Sequence, residues 1–114
     1  MAKFALALPV VDEEATRNIS KEFAGARADE HAESRRRAGI TAESGWYQHT
    51  PMGDLLVLQL EGKSPGEAFA AFGADNSPFG QWFKEQVKKA HGVDFTQPPP
   101  GPPPELIFEW QDNS

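Results

Sequence analysis

Residues 77–92 constrain this chain more than any other stretch. Ser77-Pro78-Phe79-Gly80-Gln81-Trp82-Phe83 and the residues up to Gly92 spell out a helix with both of its ends. Ser77 is a side-chain acceptor for the free amides of the first turn, Pro78 suits the first helical position, and Gly92 suits the left-handed conformation that stops a helix. Between these marks Phe79, Trp82, Phe83, Val87 and Ala90 recur at steps of three and four, which draws one apolar stripe. A stripe of that kind needs burial, so the rest of the chain has to supply a surface for it.

The other segments are legible by the same means. Phe4, Leu6 and Leu8 alternate with Lys3, Ala5 and Ala7, the two-residue period of a strand with one bulky face and one small face, and Pro9 ends it. Asp12 is placed to cap a helix from Glu13 to Ala38, with acidic residues in its first turn, Arg35-Arg36-Arg37 in its last, Gly39 as its stop and Gly25 as the point where it bends. Its buried stripe is expected to be Val11, Ala15, Ile19, Phe23 and Ala26, and the three arginines are read as complements to the negative end of the helix dipole. Residues 40–49 and 54–61 read as two strands joined at Pro51-Met52-Gly53 in an antiparallel hairpin. Ser64-Pro65-Gly66-Glu67 is a capping box that opens a short helix through Phe69 and Phe72.

Residues 97–104 hold six prolines and a glycine, which excludes helix and central strand and favours extended polyproline. The segment is read as a spacer that delivers the chain to a last strand over 105–110, in preference to a Pro-rich ligand for an aromatic groove. Leu106, Phe108 and Trp110 alternate there against Glu105, Ile107 and Glu109.

At 114 residues the chain is read as one domain, 1–114. A net charge of -6 argues against a nucleic-acid partner, since phosphate binding wants clustered Lys and Arg. The chain has no cysteine, which removes disulfide and thiolate chemistry and fits a cytoplasmic location. The apolar start is broken by Pro9 and meets acidic residues at once, unlike a signal peptide. No apolar run approaches membrane-spanning length, so no membrane role is expected.

Strand, helix, strand, strand, helix, strand is the order of an α+β, ferredoxin-like βαββαβ fold, a four-stranded antiparallel sheet with helices on one face. The bulky strand faces suit the helix side. The opposite face would carry Ala5, Ala7, Leu55, Val57 and Gln59, with either Tyr47 and His49 or Trp46 and Gln48, depending on a register that a bulge at Gly45 would shift. Such a face is too apolar to be bare, and a second copy would cover it, so a homodimer is expected.

The element order, with Glu43-Ser44-Gly45-Trp46-Tyr47-Gln48-His49, Pro51-Met52-Gly53-Asp54-Leu55-Leu56-Val57 and the Ser77-Pro78-Phe79 helix start, resembles the dimeric α+β barrel proteins, particularly small uncharacterised bacterial members. The resemblance spans Phe4 to Trp110. It implies a barrel formed by two sheets, in a superfamily that includes cofactor-independent monooxygenases, haem-degrading enzymes and stress-responsive proteins. None of those catalytic signatures maps onto residues of this chain.

Among the polar side chains, His49 stands out as acid, base or ligand candidate, with Tyr47 two residues earlier on the same face and Glu43 further along. His31 and His91 read as structural. Trp46, Tyr47, His49, Phe79, Trp82 and Phe83 are the candidate ligand-binding residues. No metal site and no cofactor is expected: metal-ligand spacing is lacking, the glycines form no phosphate loop, and one candidate histidine does not make a haem site. Two functions compete. One is a binding protein for a small apolar or carboxylate-bearing metabolite in an aromatic-lined pocket. The other is a cofactor-independent monooxygenase or isomerase in which His49 and Tyr47 handle protons.

Overall fold

A computed structural model describes residues 2–98 and 101–112, so Pro99 and Pro100 of the proline-rich segment lie outside it. The elements run β1 (Ala2–Pro9), α1 (Glu13–Ala24), α2 (Ala28–Arg37), β2 (Ile40–Gln48), β3 (Leu55–Gly62), α3 (Pro65–Ala74) and α4 (Pro78–His91). The three strands form one antiparallel sheet in the order β1-β3-β2. This is an α+β fold.

The helix expected from Glu13 to Ala38 is two helices. Gly25 leaves helical geometry (φ -118°, ψ -114°), and the amides of Gly25 and Arg27 both turn back to the carbonyl of Glu22, which closes α1 before α2 starts. The break changes the buried stripe as well. Ala15 and Ile19 are buried and Phe23 is half-buried, but Val11 is 71% exposed and Ala26 is exposed, because the chain has turned before the stripe reaches residue 26. At the other end Asp12 caps as expected, its carboxylate accepting from the amide of Ala15 at 2.9 Å.

α4 is built as its sequence specifies. Ser77 Oγ accepts from the amide of Gly80 at 3.1 Å, and Gly92 takes a left-handed conformation (φ 70°) in which its amide reaches the carbonyl of Lys88. A residue with a Cβ is strained in that conformation. Phe79, Phe83, Val87 and Ala90 are buried, and Phe72 of α3 meets Phe83 edge-on at 5.5 Å between ring centroids. Phe95, beyond α4, folds back and stacks on both Phe83 and Phe69 at 5.8 Å.

The sheet register fixes two faces. Phe4 pairs with Leu60, Leu6 with Leu58 and Leu8 with Leu56, and β2 adds Glu43, Gly45 and Tyr47 to this helix-facing side. The bare side carries Ala5 against Gln59 and Ala7 against Val57, with Ser44, Trp46 and Gln48 from β2. Of the two registers left open by the sequence, the one with Trp46 and Gln48 outward is the one formed. The irregularity falls between Ile40 and Ala42, not at Gly45.

Residues 105–110 form no strand in the single chain. Leu106, Ile107, Phe108 and Trp110 are 64–83% exposed. The alternation of residue types is there, but no neighbouring strand of this chain pairs with it. A salt bridge of 2.9 Å joins Glu109 to Lys3 of β1.

Candidate functional site

The sheet and the helices close on each other around Phe4, Ile40 and Leu60, which are buried with Phe72 and Phe83, but not along their whole length. Leu6, Leu8, Leu56 and Leu58 face the helices yet stay only half-buried, and above them lies a cavity of about 650 Å³. Two features hold it open. α1 packs on α4, where Ala15 and Ile19 meet Ala90, so the helices satisfy each other as well as the sheet. Gly45, in the middle of the helix-facing side of β2, contributes no side chain to fill the gap. The floor is leucine, and the roof is Phe23, Phe69, Phe72, Phe83 and Phe95.

One end of the cavity is charged. Arg35, 6% exposed, turns inward from α2, and its Nε and Nη2 donate to the two carboxylate oxygens of Glu43 at 2.8 and 3.2 Å. His31 Nε2 donates to Glu43 Oε1 at 3.0 Å, while its ring stacks on Phe23 at 4.1 Å. The Arg35 guanidinium also lies 4.6 Å from the Phe72 ring centre and 4.8 Å from that of Phe83. Burial pushes Glu43 up, but the hydrogen bonds from His31 and Arg35 and the charge of Arg35 outweigh it and hold the carboxyl at about 2. Arg35 is therefore not a dipole complement at the surface like exposed Arg36 and Arg37; it is a buried partner for a carboxylate on an apolar strand face.

A second polar cluster sits at the hairpin end. Tyr47, whose ring lines the cavity, donates its hydroxyl to Asp54 Oδ2 at 2.6 Å, and the Arg17 guanidinium lies 4.4 Å over the ring. His49 Nδ1 is 3.2 Å from Asp54 Oδ1. Partial burial and the hydrogen bond and charge of Asp54 push the Tyr47 phenol up to about 12. That direction makes Tyr47 a weaker proton donor and leaves no phenolate at neutral pH.

The third polar group is His91, 4% exposed at the end of α4, where its ring lines the cavity. Its Nδ1 lies 2.8 Å from the carbonyl oxygen of Pro9. Burial holds it below its ordinary value, against the opposing effect of that hydrogen bond.

The six candidates read from the sequence are dispersed. Tyr47 and Phe83 line the cavity. Phe79 is buried in the core, and Trp82 packs on Phe23 with the Arg27 guanidinium 4.3 Å over its ring. Trp46 lies on the bare side of the sheet, 54% exposed, and exposed His49 contacts Tyr47 and Asp54 at the rim. Glu43 does not join Tyr47 and His49 but pairs with Arg35 and His31. His31 and His91, read from the sequence as structural, and Arg35, read as a dipole complement, all line the cavity. One signal for Arg35 was present: a glutamate on a strand face shared with leucines requires a cation beneath it. Among the described residues no group of His, Asp and Glu is arranged to hold a metal ion, and no helix is long and apolar enough to cross a membrane. No protein family, curated protein or solved structure matches the chain.

Proposed function

We propose that this chain holds a small, mainly apolar molecule in the cavity between its helices and its sheet. One observation carries the proposal: a space of about 650 Å³ walled by leucine and phenylalanine, with polar groups gathered at its ends. Small-molecule sites commonly have that composition, a mostly apolar wall with few polar groups to orient the guest. Naphthalene serves as a probe. It raises the melting temperature of the native chain and leaves Leu58→Trp, which grows a ring into the cavity, unaffected. Equal response of the two proteins, or response of neither, removes the proposal.

The same reading includes the ferredoxin-like sheet and the dimeric α+β barrel. Support comes from three features: β1 has a free edge, residues 105–110 alternate like a strand and end at a salt bridge to Lys3, and the bare side exposes Trp46. A fourth strand beside β1 and a second sheet against the bare side would cover them. The catalytic alternative has less behind it, since His49 stands outside the cavity and the Tyr47 hydroxyl is committed to Asp54.

A further inference from the structure

His91 is a buried ring of the cavity lining with one nitrogen committed and one without a partner, and the second bears on the chemistry of the guest. A carbonyl oxygen only accepts, so the 2.8 Å contact to Pro9 requires the proton of the His91 ring to sit on Nδ1. In the neutral imidazole Nε2 then carries a lone pair. No buried side-chain nitrogen or oxygen among the described residues lacks a hydrogen-bond partner. Nε2 has none, so it faces open space, and the open space against this buried ring is the cavity. Burial keeps the ring neutral, which preserves the acceptor.

The charged lining groups offer no competing docking point. Arg35 is clasped by Glu43 and Arg17 by Glu13 at 2.8 Å, so each arginine of the lining already has its carboxylate. Glu43 stays ionised, which repels an anion, and its oxygens already accept from Arg35 and His31. A guest carboxylate would enter an apolar space without an unpaired cation to meet it.

We propose that the guest is an uncharged, mainly apolar molecule bearing a hydroxyl, and that His91 Nε2 accepts the hydrogen bond from that hydroxyl. The inference rests on the cavity reading above and narrows it. It also discards the carboxylate-bearing metabolite expected from the sequence.

Naphthalene, 2-naphthol and 2-naphthoate share a ring system and differ in the group presented. Titrated calorimetrically at pH 7.5, 2-naphthol is expected to bind about threefold to tenfold more tightly than naphthalene, the gain that one neutral hydrogen bond supplies. 2-Naphthoate is expected to bind at least about tenfold more weakly than 2-naphthol. His91→Phe removes the advantage of 2-naphthol over naphthalene. Should that variant fail to fold, long-range proton–nitrogen spectra of the native chain decide: Nε2 is unprotonated and its resonance moves with 2-naphthol but not with naphthalene. A protonated Nε2, tightest binding of 2-naphthoate, or a 2-naphthol advantage that survives in a folded His91→Phe overturns the assignment. Naphthalene binding with no gain for 2-naphthol sinks this inference alone, whereas failure of all three probes sinks the cavity reading and this inference with it.

Discussion

Arg35 of α2 clasps Glu43 of β2 through two hydrogen bonds, Nε to Oε1 at 2.8 Å and Nη2 to Oε2 at 3.2 Å. The pair joins a helix to the sheet at a charged place in the cavity wall. Its geometry is the two-pronged form that fixes orientation as well as distance. Because Arg35 is buried, the two charges depend on each other: either one alone would be an uncompensated charge in an apolar setting.

Removal of one partner is therefore expected to cost more than removal of both. Glu43→Ala should lower the unfolding free energy by about 3 kcal/mol, while Arg35→Met combined with Glu43→Leu should lower it by about 1 kcal/mol or less. Urea denaturation of the three proteins measures this. Equal losses in single and double variants would show that the two charges do not depend on each other.

The same carboxylate sets an acid limb. Glu43 falls from its ordinary value of 4.5 to about 2 on folding, so its contribution is complete above pH 4.5 and is lost as the pH drops toward 2. At about 1.4 kcal/mol for each pH unit between the two values, the loss amounts to about 3 kcal/mol. Stability measured from pH 6 to pH 2 should decline through that window, and Glu43→Gln should flatten the decline. An unchanged slope in the variant would place the acid sensitivity elsewhere.

Gly80, in the first turn of α4, lies directly against Asp75. A Cβ at that position would overlap the carboxyl carbon of Asp75 and fall 2.5 Å from its backbone carbonyl oxygen. Asp75 is held in place by accepting from the amide of Ser77 at 2.9 Å, so the α3–α4 junction has little room to give. Gly80→Ala, neutral or favourable in an unconstrained helix, should here cost about 1–3 kcal/mol. Thermal melts of the variant against native protein check the sign: a raised melting temperature contradicts the close approach.

Trp46 and Val57 face each other across β2 and β3 on the bare side of the sheet. If a second copy covers that side, Trp46→Glu with Val57→Glu should convert a dimer to a monomer in light scattering, with helix content by circular dichroism unchanged. A native chain that is already monomeric at micromolar concentration would remove the barrel from consideration.

What the sequence disclosed and what it withheld divide by range. Ser77, Gly92, Asp12 and Ser64 act on amides and carbonyls within a few residues, so their roles followed from spacing alone. Strand alternation put Phe4, Leu6 and Leu8 on one face with Leu56, Leu58 and Leu60 because the period of two has no competitor there, while their pairing came only with the fold. The place of Arg35 beneath the sheet did not follow from its helix position, which suggested a surface role near the dipole, and the contact of His91, read as structural, with Pro9 joins residues 82 apart in sequence. The break at Gly25 was marked by its glycine, but its depth was not, because charge order at the two ends fits one helix as well as two. Residues 105–110 show the limit of periodicity: alternation describes a strand, and only a neighbour makes one.

Gly45 carries a consequence beyond local geometry. It stands between Glu43 and Tyr47 on the helix-facing side of β2, and a Cβ there would come 3.1 Å from Leu58 Cδ2. Any larger residue would press Leu58 toward the helices and occupy the interior from below. The volume of the cavity is thus adjustable at one strand position while backbone, caps and helix packing stay as they are, so if the cavity holds the proposed guest, chains of the same shape could sort molecules by bulk through the residue they place there.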